Sequence, residues 1–219
     1  MPKYLSGACH FLCHLYPDFD ANRAHPLVQD TITGSKKVCT DPICCKLPIC
    51  LTHLHIFLEI AISSQKYDDL LFITILSCCF YGYHHLVELI LKNWKDEFHW
   101  QKIIKCGSLI FGVDHISYCL PYHKTDHFYH GTTVLFSPQE VADPVALLQL
   151  FVGHRNPIHG AQTALFLWED GSFPNCVWFD KRFFALLDHY FGGHSLYAVG
   201  ATYFASLSLS EDIIQALGC

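Results

Sequence analysis

The sequence predicts a mainly α-helical fold with a small antiparallel β-sheet, which is an α+β class. Three observations lead to this prediction. Apolar residues recur at helical spacing through most of the chain up to Leu91. Short β-type runs separated by turn residues follow between positions 108 and 136. Helical periodicity then returns from Asp143 onward, so the predicted order is helices, a sheet and helices again, with no internal repeat.

The N-terminal part is predicted to hold short helices followed by a connector. Leu5–Tyr16 carries apolar side chains at roughly helical spacing, and Pro17–Asp20 is expected to form a turn. Pro26 suits the first turn of a helix that continues to Ile32. Gly34–Pro48 is polar and contains proline, so it is the predicted linker.

Three helices are expected after the linker. Thr52–Ile62 should form a helix capped by its first residue, because its apolar residues lie three and four positions apart. Asp68 and Asp69 precede a helix over Leu70–Tyr81 that is apolar nearly all round, which favours a central position. The third helix is predicted over His84–Leu91.

The predicted sheet has three strands, at Ser108–Phe111, His115–Leu120 and Thr132–Phe136, with a polar hairpin turn over Pro121–Gly131. The remaining helices are predicted at Asp143–Val152, Phe179–Phe191, His194 to about Leu207, and Ser210–Leu217.

The composition is that of a globular protein, with 51% hydrophobic and 16% charged residues among 219. The stretch without a formal charge over Leu70–Val87 is long, but it contains Ser77 and His84, so we expect a buried helix and a soluble protein without a membrane partner. The net charge of −6 argues weakly against nucleic acid as a partner. Because no export signal is visible, the 12 cysteines are expected to be reduced thiols.

Three segments of the sequence together resemble the catalytic core of the tyrosine recombinases, the phage-integrase-like enzymes. They are Gly82–Leu89, Tyr118–Asp126 and Gly192–Ala198. Two further segments, Tyr16–Asp20 and Phe166–Ser172, are similar to the integrase-like proteins of fungal, mainly basidiomycete, mobile elements. The resemblance covers nearly the whole chain.

The resemblance implies roles for individual residues. The family carries Arg-x-Gly-Glu and a hydrophobic residue at the end of a buried helix. Here Glu88 and Leu89 match, Glu88 as a supporting residue, whereas His85 occupies the position of the first catalytic arginine and Val87 replaces the glycine. The family's β-hairpin presents a catalytic lysine, and Lys124 fits that role.

The third segment is similar to the family's His-x-x-Arg box. His194 matches the histidine, and Tyr197 stands in place of the second arginine. Ser210–Gly218 resembles the sequence that leads towards the nucleophilic tyrosine, and the chain ends at Cys219 before that residue. The resemblance therefore implies a domain truncated before its nucleophile.

In the intact family, a tyrosine attacks a DNA phosphodiester without metal or cofactor, and two arginines stabilise the charge of the transition state. Of this set, only Lys124 and His194 remain. His85 has no guanidinium fork, and Tyr197 cannot supply positive charge. Since losing one preorganised donor typically costs about 10² to 10³ in rate, we expect no strand transfer.

The resemblance also implies the organisation and the partners of the chain. Residues 1–45 would be the remnant of an N-terminal helical domain that clamps DNA, and residues 46–219 the truncated catalytic domain. The expected partner is double-stranded DNA, with self-association on DNA and a nuclear location. The function by descent is DNA binding and DNA recombination or integration.

Only three of the 14 basic residues are arginines. His85, Trp168 and Cys219 stand where the family would favour arginine, and C-to-T transitions convert CG-type arginine codons into such codons. The hypothesis is a decaying mobile-element gene.

Two alternatives stay open at this point. The chain could be a catalytically dead DNA-binding or protein-interaction remnant without a selected role. It could also bind zinc, although the spacing of the potential ligands departs from the usual paired Cys-x₂₋₄-Cys pattern. These ligands are Cys39, Cys44, Cys45, Cys50, His53 and His55.

Overall fold

A computed structural model of the chain describes residues 15–39, 47–92, 99–122, 129–188 and 191, with the backbone alone for 36–39. Contacts within the chain divide it into two compact units, Met1–Cys45 and Lys46–Cys219. The assignment of these units to a DNA-clamping remnant and a catalytic domain stays a prediction.

The described part of the first unit contains two helices, α1 over Phe19–Ala24 and α2 over Pro26–Cys39. Pro26 is the first residue of α2, as the sequence predicts, since this position needs no amide donor. The predicted turn over Pro17–Asp20 is wrong at its end, because α1 already begins at Phe19.

The predicted linker also begins too early, because α2 continues through Gly34 to Cys39. No heavy atom lies within 4 Å of where a Cβ of Gly34 would stand. A glycine at such an open helix position costs only about 1 kcal/mol relative to alanine, which neighbouring helical residues can offset. The predicted helix over Leu5–Tyr16 lies outside the described residues up to position 14.

The second unit confirms the predicted class, since it is mainly helical with one three-stranded antiparallel sheet among its described residues. Its helices are α3 (Leu51–Ser64), α4 (Tyr67–Tyr81), α5 (Leu86–Leu89), α6 (Pro144–His159) and α7 (Cys176–Phe183). Its strands are β1 (Ile110–Phe111), β2 (Ile116–Leu120) and β3 (Thr132–Phe136), and 3₁₀ turns occur at Trp100–Lys102 and Cys106–Ser108.

Helix α4 lies at the centre of this unit, as its apolar sequence predicts. Twelve of its fifteen residues are buried, and they face every side of the helix. The ring of Phe72 lies 5.4 Å from that of Phe57 on α3 and 4.8 Å from that of Phe179 on α7. On another side, the Tyr67 ring lies 5.5 Å from the Phe151 ring of α6. Three helices therefore pack around α4.

Helix α3 covers α4 with one apolar face. Leu54, Phe57 and Ala61 are buried at spacings of three and four. The helix begins at Leu51, one residue before the expected start, and Cys50 rather than Thr52 is the N-cap residue. The Cys50 backbone is extended at this point, with φ −113° and ψ 171°.

The sheet has the strand order β1-β2-β3, and both pairs are antiparallel. Strand β3 has the predicted bounds, whereas β1 is reduced to Ile110–Phe111 because the preceding residues form a 3₁₀ turn. In β2, the buried Tyr118 lies opposite Val134, and Leu120 lies opposite Thr132. The sheet thus packs one apolar face on the core.

Two helices differ from their predicted bounds at the C-terminal side. Helix α6 continues past Val152 to His159 with Pro157 in its last turn. Pro157 cannot donate to the carbonyl of Gly153, but Gly153 is exposed to water, so the interruption costs little. Helix α7 spans Cys176–Phe183 instead of Phe179–Phe191, because the Asn175 side chain accepts a hydrogen bond from the Trp178 amide at 2.9 Å and caps the helix.

The predicted helix over His84–Leu91 is mostly wrong, because only Leu86–Leu89 is helical. Leu91 leaves the helix and pairs with the segment before α7. Its N–H donates to the carbonyl of Pro174 at 3.0 Å, and its carbonyl accepts from the Cys176 amide at 2.9 Å. Long-range pairing therefore overrides the local helical pattern.

Arg155 on α6 is 1% exposed and holds the segment that follows the helix. Its guanidinium donates to the carbonyls of Gln162 at 2.6 Å and Leu165 at 3.0 Å, and also to that of Ala164. Leu165 in turn donates its amide to the Ile104 carbonyl at 2.9 Å. The buried guanidinium of Arg155 therefore holds the backbone of 162–165, and this segment in turn pairs with Ile104.

Within the described part of the chain, no helix combines the length and the apolar character needed to cross a membrane.

The central position of α4 predicts a large cost for truncating it. Replacing Ile75, which is fully buried, by alanine should lower the free energy of unfolding by about 2–5 kcal/mol, because the cavity cannot close completely. The control is Ile62→Ala on α3, where the side chain is 64% exposed and the expected change is within about 0.5 kcal/mol. Urea unfolding followed by circular dichroism measures both, and equal losses in the two variants would contradict the central packing of α4.

Arg155→Lys should destabilise the protein by about 2 kcal/mol or more, because an ammonium group cannot reach the carbonyls that the guanidinium fork serves. Arg182→Lys is the matched control. Arg182 pairs with Asp69 at a partly exposed position, where such pairs contribute about 0.2–1 kcal/mol. Thermal unfolding of the two variants compares them, and a smaller loss for Arg155→Lys than for Arg182→Lys would argue against its structural role.

Candidate functional site

The first predicted site segment lies in the turn between α4 and α5, and this turn has an unusual backbone. Tyr83 has a φ of +54°, in the left-handed region that side chains other than glycine seldom adopt. A Cβ on Gly82 would lie 2.8 Å from Nε2 of His84 and 2.7 Å from the Cys78 carbonyl oxygen. Glycine is therefore required at position 82 to let the His84 ring fold back against the end of α4.

His84 joins this turn to the sheet. Its Nε2 lies 2.8 Å from the hydroxyl of Tyr118 on β2, and the two rings stack at 5.8 Å with an interplanar angle of 22°. His84 is 2% exposed and Tyr118 is fully buried. Burial lowers the pKa of His84, partly opposed by Glu88, and burial raises the pKa of Tyr118. Both side chains are therefore neutral near pH 7.

Glu88 stands on the other side of His84. One of its carboxylate oxygens accepts the backbone N–H of His85 at 2.9 Å and lies 3.7 Å from Nδ1 of His84. This arrangement favours the tautomer with the proton on Nδ1, so that Nε2 accepts the hydroxyl proton of Tyr118. Glu88 thus caps α5 and orients the buried imidazole at the same time.

His85, the residue predicted at the first arginine position, is half-buried and immediately precedes α5. The structure brings it together with Glu88 through the backbone hydrogen bond. Lys124, His194 and Tyr197 lie outside the described residues, so their predicted roles stay predictions.

A groove of 480 Å³ opens beside α5, next to Glu88. Its lining includes the apolar residues Leu91, Ile104 and Phe166 and the basic residues Lys92 and Lys102. Tyr122, two residues before Lys124 in the chain, also lines it. The groove therefore combines apolar and basic side chains.

Two lysines on the 99–105 segment lie over aromatic rings. Nζ of Lys102 is 4.4 Å from the centre of the Tyr122 ring, and Nζ of Lys105 is 4.9 Å from the centre of the Trp100 ring. Trp100 is 58% exposed. Cations paired with exposed aromatic rings are suited to anionic ligands that also carry flat apolar groups.

The arginines of this unit are engaged in structural contacts. Arg155 is buried against backbone carbonyls, and Arg182 pairs with Asp69 of α4 and lies 5.1 Å from the Trp178 ring centre. The sequence alone could not assign these structural contacts to Arg155 and Arg182, since their partners lie in other segments. Among the described residues of this unit, lysines are therefore better placed than these two arginines to supply positive charge to a ligand.

The cysteines show no metal site where the structure describes them. Cys50 is exposed, and its Sγ lies 3.0 Å from Nδ1 of His53, but no group of three potential metal ligands occurs among the described residues. Cys44 and Cys45, which the zinc alternative needs, lie outside these residues. His55 contacts Glu59 at 3.2 Å on the exposed side of α3.

Cys78 and Cys79 are fully buried in α4. Burial raises the pKa of both. They are therefore protonated near pH 7 and not nucleophilic.

No model of a known protein family matches this chain, and no curated protein matches it significantly.

The buried imidazole predicts acid sensitivity. Because burial holds the pKa of His84 below its ordinary value of 6.5, the unfolded chain binds a proton that the folded protein does not, and stability falls as the pH drops below about 6.5. This one group contributes up to about 1.4 kcal/mol per pH unit. Urea unfolding between pH 7.5 and pH 5, in steps of roughly half a unit, measures the slope.

His84→Gln should lower the stability at neutral pH and flatten this dependence. His154→Gln, at an exposed position of α6, should leave the slope unchanged. A His84→Gln variant with the slope of the wild type would show that another group causes the acid sensitivity.

Proposed function

We propose that this chain is the DNA-binding core of a degenerate tyrosine recombinase, which binds double-stranded DNA and does not transfer strands. The observation that carries the proposal is the hydrogen bond between His84 and Tyr118. It brings the segment of His85 and Glu88 against β2, the strand that precedes Lys124 in the sequence. The resemblance requires this neighbourhood, because the first arginine and the lysine of the family act on the same phosphate.

Lysines would supply the contacts to DNA phosphates. Lys92 and Lys102 flank the groove beside Glu88, and Lys105 lies on the same segment as Lys102. Phosphate contacts give affinity without sequence preference, and they make binding sensitive to salt. The aromatic partners Tyr122 and Trp100 hold two of these ammonium groups in place.

The lack of strand transfer follows from the residue at the first arginine position. A half-buried imidazole at His85 offers no guanidinium fork to the non-bridging oxygens of a phosphate. Tyr197 at the second arginine position adds no positive charge. Recombination or integration would then be the activity of the ancestral enzyme, and DNA binding, self-association on DNA and a nuclear location its inherited properties.

Salt-dependent binding to a labelled duplex tests the proposal. Fluorescence anisotropy should show the logarithm of the affinity falling linearly with the logarithm of the salt concentration, by about 0.9 per phosphate contact. The double variant Lys102→Ala with Lys105→Ala should reduce this slope by up to about 2. In a denaturing gel, neither the wild type nor any variant should show a covalent DNA–protein complex.

Lys66→Ala is the matched control. Lys66 is exposed and precedes α4, whose fifteen residues place it roughly 20 Å from the turn of His84 at the other end of that helix. Its removal should leave the slope unchanged. Absence of duplex binding even at low salt would contradict the proposal and favour the protein-interaction alternative.

A further inference from the structure

We propose that the hydrogen bond between Tyr118 and His84 sets the spacing between two parts of the DNA site, the turn of His85 and the paired strands β2 and β3. Tyr118 and His84 are then positioning residues, which affect DNA binding through the segments that they hold rather than by touching the DNA. The consequence for DNA rests on the proposed function, whereas the spacing is a property of the protein alone.

The two residues are placed to act as a rigid link. Both are buried, and Tyr118 is held from the sheet side by the Phe136 ring at 5.4 Å. His84 is held from the helix side, since its backbone N–H donates to the Cys79 carbonyl at 3.2 Å. Because well-packed side chains in a core have one arrangement, a hydrogen bond between them transmits position and not only energy.

The backbone before His84 is shaped for this contact. The His84 ring reaches Tyr118 only because Gly82 has no Cβ. Tyr83 adopts a left-handed backbone conformation, which by itself raises the free energy of the folded state. Such a conformation persists where the surroundings determine it. The bond from Tyr118 and the packing of His84 contribute to offsetting this cost.

The link continues to the site itself. Glu88 approaches His84 within 3.7 Å and accepts the His85 amide at 2.9 Å, so a chain of polar contacts runs from β2 to the backbone of His85. The thiols of Cys78 and Cys79 face the same cluster from α4, and burial keeps them uncharged. Glu88 and His85 are the neighbouring groups that act on the pKa of His84, which Glu88 raises and His85 lowers against the larger effect of burial.

Tyr118→Phe tests the link with little change in shape, since it keeps the ring and removes the hydroxyl. Tyr81→Phe is the matched control, because Tyr81 on α4 also donates one hydroxyl hydrogen bond, to the Val141 carbonyl at 2.7 Å. Amide hydrogen exchange in the absence of DNA should become about tenfold faster at His85 and Leu120 in Tyr118→Phe. In Tyr81→Phe, these two amides should exchange as in the wild type.

Two further measurements distinguish positioning from simple stability. The ¹⁵N chemical shifts of the His84 ring should show Nε2 losing its hydrogen bond in Tyr118→Phe and keeping it in Tyr81→Phe. At fixed salt, duplex affinity should fall about tenfold in Tyr118→Phe and less than about threefold in Tyr81→Phe.

The outcomes separate the two proposals. Equal exchange at His85 and Leu120 in both variants would overturn the positioning role, even if the wild type binds DNA. A wild-type protein that does not bind duplex would overturn the proposed function, while faster exchange confined to Tyr118→Phe would still support the link. Faster exchange with unchanged duplex affinity would overturn the claim that the spacing serves DNA binding.

Discussion

Burial of α4 on all sides is the constraint on which the rest of the second unit depends. A helix without a polar face must be covered completely, and here α3, α6 and α7 supply most of the cover through rings that meet Tyr67 and Phe72. Polar groups on such a helix need partners inside the core, which is why Ser77 donates to the Ala142 carbonyl at 2.5 Å and Tyr81 to that of Val141. These bonds tie the segment before α6 to the helix that it covers.

At the C-terminal end of α4, the apolar core contains buried polar side chains that form hydrogen bonds with each other. The helix stops at Tyr81, the chain turns sharply at Gly82, and a buried histidine meets a buried tyrosine from the sheet. Burying two polar rings without charge is inexpensive as long as their hydrogen bond is made, and costly when it is broken. The same contact therefore stabilises the fold and brings the two proposed site segments together.

Arginines and lysines of the second unit occupy different environments. The guanidinium groups of Arg155 and Arg182 are used inside the second unit, where a planar fork can satisfy carbonyls or a carboxylate. The ammonium groups of Lys102 and Lys105 lie instead on aromatic rings at the groove and the exposed segment beside it. A chain with a net charge of −6 can thus still present a local basic surface.

The sequence by itself determined the class of fold, the central helix and the strand Thr132–Phe136, because apolar periodicity and β-branched runs act locally. The resemblance also named His85 and Glu88 as site residues, and the structure joins them by a hydrogen bond within one short turn. Only the tertiary structure decided the cap at Asn175, the role of Arg155 and the pairing of Leu91 with the segment before α7. The His84–Tyr118 bond joins residues 34 positions apart, and no local pattern encodes such a contact, because it depends on how the sheet packs against the end of α4.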